Sequence, residues 1–507
     1  MTEQADNLPE LFNRLRDKVL EKTPVLREVI KKTYHQNLFD HALEYKESKS
    51  SPLVLERRHQ LIDTIAQRVK DILGPDIAKS VSKQLEQYYF VSTADHHGPI
   101  CHPFWLDANL VTALPYTETA DRVLENIIVL SCANVSLNNS SFPRGLIFHS
   151  NNVEKLHTIP FFPAQDRAAT MYGFRSYTRA DLIRVKNDLL TKVKNGEVDQ
   201  LVLDKIVAIF DSIYNNDSAL GAKNFSEQVT QTNVDLWKQF FPQLRNFPRL
   251  VYIDQESIAA DLLTNYHLNK NTVIEKIFTD ETCRQLVNKY FDGVPGAFSI
   301  HEKIGTYLFW ALPKGEKYRQ QLWLQSNQLV SGDGQFVVPL NSQAIIEKLK
   351  SGELVPSMLL TFILLSFYYG LTCLGGFYQP TYLTSIKEAY SKLLAELGDN
   401  ETMAICASVE TKMMGDMAMA FLQDKMGAWH HATGLDLILY GDYNTWGKLV
   451  DFTKAVTVPD ALDPLMPLFY EVMYPQNQRE ELLKNVTTDQ IVKLTGLDKK
   501  IQPCVKM

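Results

Sequence analysis

Apolar positions recur at helical spacing through the first part of the chain. Leu61, Ile65, Val69, Ile72 and Leu73 share one helical face, and Gly74-Pro75 stops that helix. Ile77, Val81 and Leu85 carry the pattern into a second helix. Residues 1–86 therefore read as a helical cover. The period changes over residues 87–177. Residues 88–93 are a short β-prone run. Residues 127–132 are continuously apolar and β-branched, as in a strand buried on both faces. Residues 145–149 and 156–161 predict two further strands, joined by a turn at Ser150-Asn151-Asn152. Residues 121–126 read as the end of a crossover helix, so this stretch is expected to hold the central sheet.

Helical spacing returns over residues 178–300. Thr178 is placed to cap the first helix, with Asp181 three residues on, ahead of Ile183, Val185, Leu189, Leu190 and Val193. Residues 301–340 predict an aromatic β-hairpin. Its arms are 306–312 and 318–325, and it holds Trp310 and Trp323. Residues 341–507 read as largely helical. Within them, 354–386 carry no charged side chain. A membrane span needs about 20 apolar residues. Here Ser357, Thr361, Ser366, Tyr368, Tyr369 and Thr372 interrupt the run. The expectation is a buried helix, with Pro356 in its first turn and Gly375-Gly376 at its end. Met413, Met414, Met417, Met419 and Met426 are expected on one further helix that ends near Gly427. The fold class is thus α/β and helix-dominated: a small central sheet flanked by many helices, with a separate hairpin region.

Composition narrows the partners. The 507 residues carry a net charge of −7 and no basic stripe, which argues against a nucleic-acid partner. Six cysteines with no C-x-x-C pair do not make a disulfide scaffold. The acidic, polar N-terminus lacks the features of a secretory signal. A cytoplasmic protein without a membrane role is expected, and a homo-oligomer is left open.

No Walker A sequence, dinucleotide fingerprint, G-x-S-x-G elbow, H-E-x-x-H or EF-hand loop occurs. The densest chemical signal is the run Asp95-His96-His97-Gly98-Pro99-Ile100-Cys101-His102, which follows a β-prone segment. Loops at strand ends are where open α/β sheets place ligands. Imidazole both ligates metals and moves protons near neutrality. If the chain stays extended, Asp95 and His97 share one side, and His102 folds back over Gly98-Pro99. Asp95, His97 and His102 then form a candidate set for a divalent metal, or an acid–base group with His96 as a secondary member. Ordinary hydrogen-bonding histidines in a proline-stiffened loop are the competing reading. Cys101 is the thiol within this run and the one considered as a nucleophile.

Two further loops are candidates for substrate binding. One is rich in asparagine and serine around Asn138 and ends at Arg144. The other runs from His157 through Arg167 to Arg175. If the strands before them are parallel neighbours, the three arginines converge on the Asp95 loop and favour a small anionic ligand. The pair His430-His431, with Asp436 five residues later, misses the spacing used by acyl-condensing enzymes. The expected function is an enzyme acting on a small anionic metabolite, hydrolytic or group-transferring, with a divalent metal as an open cofactor. The rival expectation is a non-catalytic small-molecule-binding or scaffold protein that uses the apolar helix and the aromatic hairpin as a partner surface.

Overall fold

The six residues Asn126–Ser131 are all buried, and their side chains alternate between two hydrophobic cores. Ile127 and Val129 enter one core, while Ile128 and Leu130 enter the other. Period-2 alternation with both faces apolar places a strand at the centre of a covered parallel sheet. In the computed structural model, which describes residues 7–47, 52–119, 121–139, 142–143, 145–150 and 156–507, that sheet has four strands. They are β1 (Phe90–Ser92), β2 (Asn126–Ser131), β3 (Arg249–Asp254) and β4 (Thr372–Leu374). All pair in parallel, in the order β4-β1-β2-β3. β2 and β3 run in register from Asn126 opposite Arg249 to Ser131 opposite Asp254. The chain steps one way across the sheet from β1 to β3, then returns to the far side of β1 for β4.

Phe90, Leu250, Tyr252 and Leu374 join the first core, and Val91, Val251, Ile253 and Cys373 join the second. The first core is covered by helix α1 (Pro103–Thr117), helix α2 (Phe225–Phe240) and most of the C-terminal helices. The second is covered by the Leu55–Leu73 and Pro75–Gln87 helices and by helix α3 (Gln255–Leu262). The helical cover expected at the N-terminus is thus divided: its first helix, Leu8–Lys22, belongs to the first core.

The aromatic hairpin lies in a five-stranded antiparallel sheet ordered Val337–Pro339, Gln328–Ser331, Gln320–Gln325, Phe309–Ala311, Leu354–Pro356. The two expected arms pair, with Trp310 facing Gln321 and Ala311 facing Gln320. Trp310 and Trp323 are half-buried.

Three expectations are corrected. Gly145–Phe148 and His157–Pro160 pair antiparallel with each other, outside the central sheet. A parallel pair needs a crossover of a dozen or more residues, and too few separate them. The charge-free run is buried through 354–377 apart from half-buried Met358, Tyr368 and Gly376, but it is not one helix. It passes through the Leu354–Pro356 strand, the short helix Met358–Phe362, π-helical turns at Ile363–Tyr368 and β4, before the Gln379–Leu397 helix. The methionines Met413, Met414, Met417 and Met419 sit in an irregular extended segment, and Gly427 turns the chain between the antiparallel strands Phe421–Gln423 and Trp429–His431. Among the described residues, no helix is long and apolar enough to cross a membrane.

Candidate functional site

The carboxyl ends of the four strands bring Asp95, Cys132, Asp254 and Gly375 to one edge of the sheet. Beyond β1 the chain stays tied to β2. Cys132 N–H donates to Asp95 O at 2.8 Å, and His97 N–H donates to Cys132 O at 2.7 Å. The chain is extended here, so Asp95 and His97 share one side, and both face Tyr252 of β3.

His97 is fully buried and its ring is held at both nitrogens. Nδ1 lies 2.7 Å from Ser131 Oγ, and Nε2 lies 3.0 Å from Ser226 O and 3.1 Å from Ser226 Oγ. Ser226 Oγ donates to Asp254 Oδ2 at 2.9 Å. The result is a hydrogen-bonded row Ser131–His97–Ser226–Asp254. Burial lowers the His97 pKa despite the nearby Asp254 charge, so the ring is neutral near pH 7.

Local sequence places each member. Asn224 caps α2 by accepting Glu227 N–H, which sets Ser226 in the first turn. Asp254 ends β3 and caps α3 by accepting Ser257 N–H at 2.8 Å. Ser226 and Asp254 line a cleft of about 640 Å³, within the size range of small-molecule sites. Tyr172 and Ser257 share its wall, and Thr264 and Asn265 enter from the π-helical turn Leu263–His267. Such turns interrupt helices frequently at functional sites. The hairpin turn Pro313–Glu316 and residues 349–353 form the rim.

Beside this row, Glu256 accepts from Ala133 N, Asn134 N and Cys132 Sγ. Burial, reinforced by the charge of Asp254, pushes its pKa up to about 7. Arg319 lies against the pair, donating to Asn134 Oδ1 at 2.8 Å and packing over Trp310.

The residues singled out from the sequence divide. Asp95 is buried and bonds Asn109 Nδ2 through Oδ2 at 2.8 Å, and burial holds its pKa well above the carboxylate range. His102 caps α1, its Nδ1 accepting Phe104 N–H at 3.3 Å. Burial, then the charges of His96 and His431, push its pKa down to about 3. Asp95 and His97 both face Tyr252 but bond different groups, and His102 caps α1. Among the described residues, no group of three or more His, Cys, Asp or Glu is placed to hold a metal ion. His96 is half-buried, its ring 5.6 Å from that of Trp105. Cys101 is buried and its thiol is pushed up by that burial.

The substrate-binding candidates do not converge. Asn138 and Arg167 are exposed, and Asn138 N–H donates to Arg167 O at 2.8 Å, so the two loops are zipped to each other. His157 is buried and stacked on Phe148. Arg175 grips Asp181 with its two terminal guanidinium nitrogens, where Asp181 completes the capping box of the Arg179–Lys194 helix. Arg144 lies outside the described residues.

A second group of histidines joins the Asp95–His102 run to the C-terminal half. His431 lies close enough to His102 to depress its pKa, and His431 is itself pushed down to about 4, mainly by burial. The His149 and His430 rings are 5.8 Å apart. His149 Nδ1 lies 2.7 Å from Asp436 Oδ2, and His430 Nε2 lies 3.1 Å from Asp424 Oδ2.

Ser226, Asp254 and Glu256 were not singled out from the sequence. Their signals are present: the β-prone residues 250–253 ending in Asp254, and Asn224 three residues before Glu227. The chain matches no protein-family model and no curated protein.

Proposed function

We propose that the protein is an enzyme acting on a small anionic molecule in the cleft at the carboxyl end of β3, by hydrolysis or group transfer. One observation carries this reading: the Ser226 hydroxyl sits between the Asp254 carboxylate and the neutral His97 imidazole on a cleft wall. A serine hydroxyl gains nucleophilicity when a base takes its proton as it attacks. Asp254 is within hydrogen-bonding reach to do so, while His97 Nε2, which donates to the Ser226 carbonyl oxygen, holds the serine in place. Attack by Ser226 Oγ on a carbonyl or phosphoryl centre forms the new bond. The proton passes to Asp254 and then to the leaving group as the old bond breaks; water or an acceptor hydroxyl, its proton taken by Asp254, then releases the group from Ser226, which regains the proton. Lys314 and Lys350 on the rim form no ion pair among the described residues and supply the positive charge for an acid group.

The reading is tested with 4-nitrophenyl acetate and 4-nitrophenyl phosphate, each with and without EDTA. Proton transfer by a positioned group contributes about 10²–10⁴-fold to rate. Ser226→Ala is expected to lower turnover of one ester by about 100-fold or more, with an unchanged melting temperature. The reading fails if the wild-type protein turns over neither ester, or if Ser226→Ala matches it.

A further inference from the structure

The charges around the cleft sort into paired and unpaired groups. Arg68 is committed to Asp261 through two hydrogen bonds. Glu353 holds Lys348, and Glu227 faces Lys223. Among the described residues, this leaves Asp254 without an ion-pair partner on the wall, and Lys314, Lys350 and Glu316 without one on the rim. The two ends differ in depth. Asp254 is 7% exposed, whereas Lys314 and Glu316 are exposed. Asp254 receives two neutral donors, Ser226 Oγ and Ser257 N–H, and the Arg68 charge that reaches it is hydrogen-bonded to Asp261 instead. A carboxylate withdrawn from water is costly until an opposite charge meets it. The nearby imidazole of His97 has both nitrogens engaged within the row.

We infer that the cleft takes a zwitterion: a small molecule whose protonated amine meets Asp254 and whose carboxylate or phosphate meets Lys314 and Lys350. This rests on the reading of the cleft as the ligand site and adds the charge pattern of the ligand. An amine N–H⁺ donates to Asp254 Oδ2 beside Ser226, which brings the atoms next to the amine within reach of the serine hydroxyl. The acid group stays at the rim, where two flexible lysines act as point charges on either oxyanion.

The test is calorimetric titration of the full chain with matched probes. L-norvaline, 5-aminopentanoate and O-phosphoethanolamine carry both charges; pentanoate and ethyl phosphate lack the amine. At least one zwitterionic probe is expected to bind 10-fold or more tighter than its amine-free counterpart, and Asp254→Asn is expected to remove that advantage. Asparagine caps helices as well as aspartate does, so this variant keeps the α3 cap through Oδ1 and loses the charge, its Nδ2 standing where Oδ2 accepts from Ser226. Lys314→Ala with Lys350→Ala is expected to weaken the same probe while leaving the melting temperature unchanged. Equal binding with and without the amine, an advantage that survives Asp254→Asn, or no binding by any zwitterionic probe overturns the inference. Turnover separates it from the proposed function. Asp254-dependent amine binding without ester turnover leaves the inference standing and removes the enzyme. Turnover with no preference for an amine does the reverse.

Discussion

Two places on the same sheet edge are built in opposite ways. Between β1 and β4 the strand order reverses, and open α/β sheets bind ligands at such a switch point. This chain fills that crevice with itself. Gly375 N–H donates to Met413 O, and Gly415 N–H donates to Gly375 O, so the irregular methionine segment lies in the gap. Asp416 is fixed there by Phe377 N–H at 3.0 Å. Asp107 Oδ2, Asn109 Oδ1 and Asp416 Oδ1 are buried without a hydrogen-bond partner among the described residues. At the end of β3 the polar groups are linked in a row and one end opens to a cleft. Topology marks the first place, but hydrogen-bonding geometry and access mark the second. A site follows space and satisfied polar groups rather than strand order alone.

The largest expected effect breaks the comparison at its acidic side. Burial pushes the Asp416 pKa from 3.8 up to about 7. The folded state therefore holds this proton between those values while the unfolded chain releases it. Stability from this group falls as pH rises from about 4 to 7 and is fully lost above 7. At 1.36 kcal/mol per pH unit, the gap is about 4 kcal/mol. Urea unfolding of Asp416→Asn beside wild type at pH 4 and pH 8 is expected to show the variant gaining by about that amount at the higher pH. Parallel curves would mean that the crevice is hydrated rather than filled. A smaller effect is expected at Gly376, where an added Cβ would stand 2.9 Å from Asp416 Oδ2 and 3.6 Å from Ala94 O. Overpacking of this kind costs about 1–3 kcal/mol. Gly376→Ala should lower the melting temperature without touching probe binding in the cleft. An unchanged melting temperature would show that there is room at the switch point after all.

The same contrast explains what the sequence made legible. β2 was readable because residues 127–132 are apolar on both faces, which suits a central strand. β4 was hidden, since Thr372-Cys373-Leu374 sits in an apolar run whose period does not separate a buried helix from a buried strand. β3 was missed because residues 250–253 are a short run between helices. The Asp95–His102 run drew attention through its histidine density, and His97 does sit in the row that reaches the cleft. Its partners Ser226 and Asp254 lie 129 and 157 positions away, at distances only the fold closes. Asp107, in a helix buried on every face from Pro103 to Tyr116, gave no pattern to read. The arginines misled for a physical reason. A guanidinium pairs with whichever carboxylate is nearest, and the sequence around Arg175 already held Asp181 as the cap of the next helix.

That arginine supplies the smallest and most discriminating test of the cleft assignment. Arg175 makes bonds of 2.8 and 3.2 Å to Asp181, its side chain is 47% exposed, and it covers the Phe162 ring. Water screens such a pair, so its contribution is at most about 1 kcal/mol. Asp181 keeps its bonds from Thr178 N and Oγ1 when the arginine is gone, so the capping box survives. Arg175→Ala is therefore expected to lower stability by less than about 1 kcal/mol, and to leave ester turnover and O-phosphoethanolamine binding at wild-type values. A tenfold loss of either would return Arg175 to the role of an anion clamp. It would also move the acid-binding end of the site away from Lys314 and Lys350, because Arg175 does not line the cleft between them and Asp254.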